Sequence, residues 1–526
     1  MSHKEFPKYQ SSVATSLIII TPSFLTPIAP NQRISALDIL RGFALIGILL
    51  MNIEWFNRPI LSSGTFVVEL SGLDHAVGWL IQCFVEGKFY KLFALLFGMG
   101  FAVMMTQAIY KDKPFAAWFT RRMCVLFVFG LLHMFFVWQG DILHAYAFTG
   151  LLMLGFIYLL RTRYLQKYNN PRSILTFALW WLSIPILLAS LVGVSFGVFV
   201  DNQSSLQQWQ KSQEIRTLVS QLETETAENK ELLSVLQVEI FEHKSVILLD
   251  GEPNLEITPT ASQQPSGANS QGGTESVPVL DISEPTPQEQ AQQIFEEEQE
   301  MAQNKINEVT ALRNGSYWQA TEFRTQASII WAIFTPIFAL SLLLPLFLLG
   351  YWFVISGTIK NHAQHPKLFT YMARIGLGVG LILTVAALII MRHPAVEHVM
   401  PLQAVAGVLN IAGEFFMAAG YLGLLVRLLD VPKWQKTFNK LAPMGRMALT
   451  NYIMHSLILT SIFYGYAGGF YGEISRALHM LIVLAIVLIQ IQVSRWWLTH
   501  YQFGPLEWLW RSITYKKWQS FRVVPS

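Results

Sequence analysis

The chain has 526 residues, of which 52% are hydrophobic and 13% are charged, and this composition excludes an ordinary soluble globular protein. Its formal net charge at pH 7 is +3, and the basic residues are scattered over short loops, which gives no indication of nucleic-acid binding. The two cysteines, Cys83 and Cys124, lie in apolar segments, so we expect neither a disulfide framework nor a metal site. The composition predicts an all-α protein, a polytopic membrane bundle of about ten transmembrane helices.

The first predicted span, Leu37 to Phe56, is apolar except at a few positions. As a helix it is about 30 Å long, which matches the hydrocarbon core of a bilayer. Asp38 and Arg41 are three residues apart and share one helix face, while Glu54 lies near the other end. An ionisable group within a membrane costs at least about 2.5–3.5 kcal/mol, so these residues indicate a functional or packing site. The alternative is a plain anchor with a snorkelling arginine.

The next apolar tract, His75 to Ile109, is longer than one crossing needs. We therefore expect a break at Gly87, which Glu86 and Lys88 flank, followed by a span over residues 89–107. The other spans of the N-terminal half are predicted over residues 117–138, 142–160 and 174–200.

An acidic insertion follows, at residues 201–325, with 21 acidic and 7 basic residues against 13 acidic and 30 basic in the rest of the chain. Two charged stretches, 206–246 and 287–324, have helical character. The Pro/Gly/Ser/Gln-rich stretch between them, 250–286, is too polar to fold alone. The simplest interpretation is a helical hairpin with a disordered tip.

The apolar pattern resumes after the insertion. Spans are predicted over residues 328–354, 401–429, 447–466 and 476–498, with one further span that follows the first of these and ends near Met391. The predicted domains are a flexible N-terminal arm (1–32), a membrane domain of five spans (33–200), the acidic insertion (201–325) and a second membrane domain of five spans (326–526). If the basic loops share one side, both termini are cytoplasmic and the insertion is extracytoplasmic. For a bacterium this side assignment indicates the inner (plasma) membrane.

Five motifs carry a resemblance to a known family: LDILRG (37–42), KFYKLFALLFGMG (88–100), the segment 130–146 with Gly130-x-x-His133 and Gly140-Asp141, GRMALTNY (445–452) and GPLEWLWR (504–511). With these motifs the chain resembles the YeiB-like membrane proteins, including their C-terminal domain of unknown function. Its one noted departure is His455, where the pattern usually has glutamine. The resemblance covers nearly everything outside residues 1–32 and 201–325.

More distant relatives of that family are the heparan-α-glucosaminide N-acetyltransferases. The resemblance thus implies transfer of an acyl group from cytoplasmic acyl-CoA to an extracytoplasmic sugar or other small acceptor. A transporter of a small anionic solute is the alternative, because buried charges also suit an anion path. A third interpretation is an anchor that presents the acidic insertion. We expect no tightly bound cofactor, and a homo-oligomer remains open.

His133 and Asp141 are the predicted catalytic pair. A neutral imidazole can take and give a proton near neutral pH, so His133 is a candidate general base or acyl acceptor. Asp141, eight residues further on, could orient it only if the helix ends near Gly140. The alternatives are a core histidine and a helix cap.

The residues predicted to bind substrate are Asp38, Arg41, Lys88, Arg446 and Asn451. Arg41 and Arg446 could equally be positive-inside anchors, and Asn451 could bond a neighbouring helix. Glu507 and Arg511 are four residues apart and are interpreted as a structural clamp. His75, His144 and His455 rank lower, because the family pattern does not require histidine at these positions.

Overall fold

In a computed structural model of the chain, the residues described are 35–58, 72–112, 114–199, 217–218, 287–393 and 400–523. These residues are almost entirely helical and form no β-strand, apart from an isolated bridge between Tyr501 and Arg522. The predicted all-α class is therefore confirmed.

The helices of the N-terminal half and the insertion are α1 (Ser35–Asn57), α2 (Gly72–Phe84), α3 (Phe89–Tyr110), α4 (Ala116–Phe136), α5 (Leu143–Leu160), α6 (Pro171–Phe199) and α7 (Pro287–Val309). Those of the C-terminal half are α8 (Tyr317–Phe338), α9 (Leu344–Ile355), α10 (Pro366–Met391), α11 (Met400–Leu429), α12 (Pro432–Phe438), α13 (Ala442–Arg446), α14 (Ala448–Phe463), α15 (Arg476–His500) and α16 (Pro505–Tyr515).

Nine helical segments of the described chain are long and apolar enough to cross a membrane, and the protein is an integral membrane protein that lies in a lipid bilayer. A tenth apolar helix, α14, lies where the span 447–466 was predicted. With 16 residues it is about 24 Å long, shorter than the hydrocarbon core.

The predicted break at Gly87 is present. Helix α2 ends at Phe84, residues 85–88 form a turn, and α3 begins at Phe89. Gly87 has φ +76°, in the left-handed region that favours glycine. A Cβ atom at this position would also overlap the carboxylate of Glu414, so backbone and side chain meet closely here.

A second interruption lies between α8 and α9, where residues Ala339–Leu343 form a π-helical turn. Pro336 lies inside α8 and Pro345 is the second residue of α9. Proline lacks the backbone N–H that an α-helix needs, so the regular pattern of backbone hydrogen bonds is interrupted between the two prolines. The apolar pattern of the sequence predicts one uninterrupted span here, over residues 328–354, and this prediction misses the π-helical turn.

Helix α1 is central, since it contacts α3, α11, α13, α14 and α15. Glycine allows the closest of these approaches: a Cβ at Gly445 would overlap the carbonyl of Asp38, and one at Gly42 would overlap the carbonyl of Leu441. Small residues at helix interfaces are the usual means of close packing in membranes.

The chain divides into two compact units, a larger one of Met1–Ser195 with Glu308–Ser526 and a smaller one of Phe196–Asn307. Residues 308–325, predicted as the end of the insertion, fall in the larger unit. In the smaller unit, Leu218 and Phe295 pack against the buried Ala291 of α7. The arm 1–32, the tip 250–286 and nearly all of 206–246 lie outside the described residues, and the division into two five-span domains stays a prediction.

Candidate functional site

The structure brings His133 and Asp141 together. Helix α4 ends at Phe136 and α5 begins at Leu143, so the chain turns between the two residues. His133 Nδ1 lies 2.8 Å from Asp141 Oδ1, and both side chains are buried. Eight residues of continuous helix would have separated them by about 12 Å. The turn between α4 and α5 therefore brings the two side chains within hydrogen-bond distance, as the predicted pair requires.

A second histidine, His144, binds the same carboxylate. Its Nδ1 lies 2.8 Å from Asp141 Oδ2, and its backbone N–H donates to that oxygen at 2.9 Å. Its other ring nitrogen, Nε2, lies 2.9 Å from Thr335 Oγ1 of α8. Asp141 thus also caps the start of α5, as the alternative interpretation expected. The family pattern gave His144 a low rank among the candidates, although its spacing of three residues from Asp141 is a usable signal.

His133 keeps one nitrogen free within the described part of the chain. A carboxylate accepts hydrogen bonds, so the contact with Asp141 places the proton of neutral His133 on Nδ1. Nε2 then carries a lone pair, and it is buried without a hydrogen-bond partner among these residues. The imidazole ring lies near the rings of Tyr452 and Trp138, at centroid distances of 5.3 and 6.5 Å.

A cavity of about 240 Å³, here called the arginine cavity, opens beside Tyr452 and Tyr146. Its charged lining consists of Asp38, Arg41, Arg122, Arg446, Glu507 and Arg511. Four guanidinium groups thus face two carboxyl groups, and the rest of the lining is largely apolar. Guanidinium groups bind phosphate and carboxylate with paired N–H donors, so the cavity suits an anion with an apolar part.

The arginines of this cavity differ in how they are held. Arg41 donates to Asp38 at 3.1 Å. The Arg122 guanidinium lies 3.6 Å from the centroid of the Trp510 ring, and the Trp510 indole N–H donates to the Arg122 carbonyl at 2.8 Å. Among the described residues, the side chains of Arg122, Arg446 and Arg511 have no ion-pair or hydrogen-bond partner. Their N–H groups remain available to a ligand.

The predicted clamp between Glu507 and Arg511 is wrong. Glu507 Oε1 accepts hydrogen bonds from the backbone N–H groups of Leu449 and Thr450, at 2.7 and 3.1 Å, because the start of α14 has unpaired donors. Arg511 instead lies over the Phe503 ring, 4.6 Å from its centroid. Burial raises the pKa of the Glu507 carboxyl, and the hydrogen bonds from Thr450 and Leu449 oppose that shift.

A second cavity, of about 270 Å³ and here called the tryptophan cavity, lies on the other side of Ile142, which lines both cavities. It is lined by three indoles and a set of polar side chains: Trp55, Trp138 and Trp331 with Asn52, Gln139, Asp141, His144 and Thr335. Along α1, the arginine cavity extends from Leu37 to Ile48 and the tryptophan cavity from Met51 to Trp55. The two cavities therefore occupy successive levels of one membrane span.

Two predicted binding residues lie apart from these cavities. Lys88 is buried at the break between α2 and α3, where Nζ donates to the carbonyl of Gln82. Asn451 donates to the carbonyl of Met444 and to Ser494 Oγ, at 3.1 and 3.0 Å. The structure brings only Asp38, Arg41 and Arg446 of the predicted set to the arginine cavity. Arg122 was not singled out, and its role depends on the approach of α16 to α4.

A further buried polar cluster surrounds Lys91, in the first turn of α3. Its ammonium donates to the carbonyl of Gly87 and to the Tyr90 hydroxyl, each at 2.9 Å, and forms an ion pair with Glu414 of α11. Asn410 donates to the other oxygen of Glu414 at 3.0 Å. The cluster therefore joins the helix break to α11.

The fold and the two cavities define a class: an all-α integral membrane protein with two neighbouring cavities and a buried histidine–aspartate pair, whose aspartate lines the second cavity. Comparison with known sequences then places the chain among particular relatives. Residues 353–517 match the family described as "Protein of unknown function (DUF418)".

The chain is 28% identical to the uncharacterized protein YxaH of Bacillus subtilis (strain 168), over 94% of this chain and 98% of that protein. It is 26% identical to an uncharacterized 39.9 kDa protein encoded in the amylase 3' region of Bacillus acidopullulyticus, over 94% and 97%. It is 22% identical to the uncharacterized protein YeiB of Escherichia coli (strain K12), over 92% and 96%. These similarities confirm the resemblance to YeiB-like membrane proteins. No solved structure is significantly similar to this chain.

Proposed function

We propose that this protein is an acyltransferase of the bacterial inner membrane, which transfers an acyl group from cytoplasmic acyl-CoA to a small extracytoplasmic acceptor such as a sugar. The observation that carries the proposal is the position of His133. Asp141, which lines the tryptophan cavity, holds Nδ1 of His133, and the imidazole ring lies against Tyr452 of the arginine cavity. Nε2 of His133 is buried without a hydrogen-bond partner among the described residues. An acyl transfer across a membrane needs a nucleophile or base close to both the donor and the acceptor.

The arginine cavity supplies the donor side of this reaction. Arg41, Arg122 and Arg446 would bind the phosphates of acyl-CoA, which are multiply charged and require cationic donors. The apolar remainder of the lining suits the acyl group. This side would face the cytoplasm, together with both chain termini, because the basic loops are concentrated there.

The tryptophan cavity supplies the acceptor side. Indole rings offer flat apolar faces, and the Asn52 and Gln139 amides offer hydrogen-bond donors and acceptors beside them. Within the described residues, Gln139 Oε1 is buried without a hydrogen-bond partner. A small neutral molecule with several hydroxyl groups would satisfy that oxygen.

The chemistry follows from the tautomer of His133. With its proton on Nδ1 and directed to Asp141, Nε2 has a lone pair that can attack the thioester carbonyl or remove a proton from the acceptor. Asp141 holds the ring in this tautomer and stabilises the imidazolium that forms during either step. A buried aspartate has this role in serine hydrolases.

The test is acetyl-CoA turnover by purified protein in detergent, measured as release of free CoA. We expect His133→Gln to reduce turnover by at least about 100-fold, the lower range for loss of a general base. The matched control is His455→Gln, another buried membrane histidine, which bonds Gln490 at 2.6 Å and lines neither cavity. His455→Gln should retain wild-type turnover. Equal turnover in wild type and His133→Gln would leave His133 as a core histidine.

The alternative is transport of a small anionic solute, and the Lys91–Glu414 cluster favours it. Transporters place ion and substrate sites at broken helices near the bilayer midplane, and this ion pair lies beside the Gly87 break. Counterflow of an anion in liposomes, with no release of CoA from acetyl-CoA, would support transport over transfer.

A further inference from the structure

We infer that His144 is a second catalytic residue, the base that removes the proton from the acceptor hydroxyl. This inference rests on the proposed function. Asp141 then serves two histidines with separate tasks, His133 on the donor and His144 on the acceptor.

The position of His144 supports this division. His144 lines the tryptophan cavity, whereas His133 lines neither cavity and lies against Tyr452 of the arginine cavity. Both rings bind one carboxylate, each with Nδ1 at 2.8 Å from a different oxygen. The two imidazoles are therefore neighbours, and the inference requires that an acyl group on His133 can meet a molecule bound beside His144.

The other ring nitrogen of His144 has a replaceable partner. With its proton on Nδ1, directed to Asp141, Nε2 is an acceptor for the Thr335 hydroxyl at 2.9 Å. Thr335 has a second acceptor, the carbonyl of Trp331 at 3.0 Å. Its hydroxyl can turn to that carbonyl and leave Nε2 to an incoming hydroxyl of the acceptor. Thr335 thus occupies the position that the acceptor takes.

The reaction balances in two steps. The lone pair of His133 Nε2 forms a bond to the thioester carbon, the C–S bond breaks, and the thiolate leaves with its electron pair and takes a proton from water. The acceptor oxygen then forms a bond to the same carbon, and the C–N electron pair returns to His133 Nε2. The acceptor's proton passes to His144 Nε2 and is later released to water.

A purely structural role for His144 is the competing explanation, because it joins α5 to α8 through Thr335. The two roles differ in which step they affect. Loss of a structural contact would slow both acyl transfer to His133 and acyl transfer to the acceptor. Loss of the base for the acceptor would slow only the second of these steps.

The experiment follows CoA release from acetyl-CoA with excess substrate, with water as the probe acceptor. His144→Asn retains an amide N–H near the Nδ1 position and removes Nε2. We expect this variant to release about one CoA per protein at the wild-type rate and then to continue at least about 100-fold more slowly than wild type. His144→Gln provides the same comparison if His144→Asn fails to insert, and His455→Gln should match wild type in both phases.

Equal loss of the first release and of the later rate would overturn the inference, as would a later rate equal to that of wild type. In both cases the proposed function stands if wild type turns over acetyl-CoA and His133→Gln does not. Absence of wild-type turnover would overturn the proposed function, and this inference with it.

Discussion

At the scale of single residues, the proposed binding of acyl-CoA depends on guanidinium groups with free N–H donors. Arg446 lines the arginine cavity and forms no ion pair with any described residue. We expect Arg446→Gln to raise the KM for acetyl-CoA by about 10-fold or more, with a smaller change in kcat. A hydrogen bond to a charged group contributes about 1.5–3 kcal/mol. Steady-state kinetics on purified protein measures the effect.

The matched control is Arg495→Gln, since Arg495 is exposed on α15 and does not line the cavity. Its KM should equal that of wild type. If Arg446→Gln and Arg495→Gln have the same KM, Arg446 is a topological anchor and the arginine cavity does not bind the donor through it.

The residues of this site differ in how well their contacts can be predicted from the sequence. His133 and Asp141 are eight residues apart, and a helix that ends between them is enough to bring them together. Arg122 lines the cavity beside Trp510 of α16, which stacks on its guanidinium group and is 388 residues further along the chain. Arg511 was assigned to Glu507 by its helical spacing, but the unpaired N–H groups of α14 compete successfully for that carboxylate. Local sequence patterns therefore do not predict the contacts between segments that are far apart in the chain.

At the scale of helices, the position of α1 depends on close approach to α13. A Cβ at Gly445 would overlap the carbonyl of Asp38, so Gly445→Ala should force the helices apart. Overpacking of this kind costs about 1–3 kcal/mol. We expect a lower thermal midpoint in detergent, measured by the loss of monodisperse protein on size-exclusion chromatography after heating.

Gly155→Ala is the matched control, because a Cβ there would meet no atom within 4 Å and α5 is continuous around it. Alanine is the better helix former, so this variant should be as stable as wild type or slightly more stable. The same midpoint for both variants would show that α1 and α13 are free to separate.

Helix boundaries show where the apolar pattern is informative. The break at Gly87 was predictable because the tract from His75 was too long for one crossing. The π-helical turn Ala339–Leu343 lies in a tract whose apolar pattern predicts one span, although Pro336 and Pro345 flank the turn. Helix α14 ends at Phe463, before the predicted residue 466, and Tyr464 continues in extended conformation. Length alone does not locate such interruptions.

At the scale of the whole molecule, the order of the two cavities along α1 sets the direction of the proposed acyl transfer across the membrane. The donor cavity lies near the start of α1 and the acceptor cavity near its end. If the N-terminus is cytoplasmic, acyl-CoA must reach the protein from the cytoplasm. Acetyl-CoA does not cross a bilayer because its phosphates are charged, so the side from which it reacts can be determined.

The most direct test measures release of CoA from external acetyl-CoA by inside-out and right-side-out vesicles. Vesicles with His133→Gln give the background from other enzymes. We predict that wild type exceeds His133→Gln in inside-out vesicles and equals it in right-side-out vesicles. An excess confined to right-side-out vesicles, or no excess in either, would contradict the account.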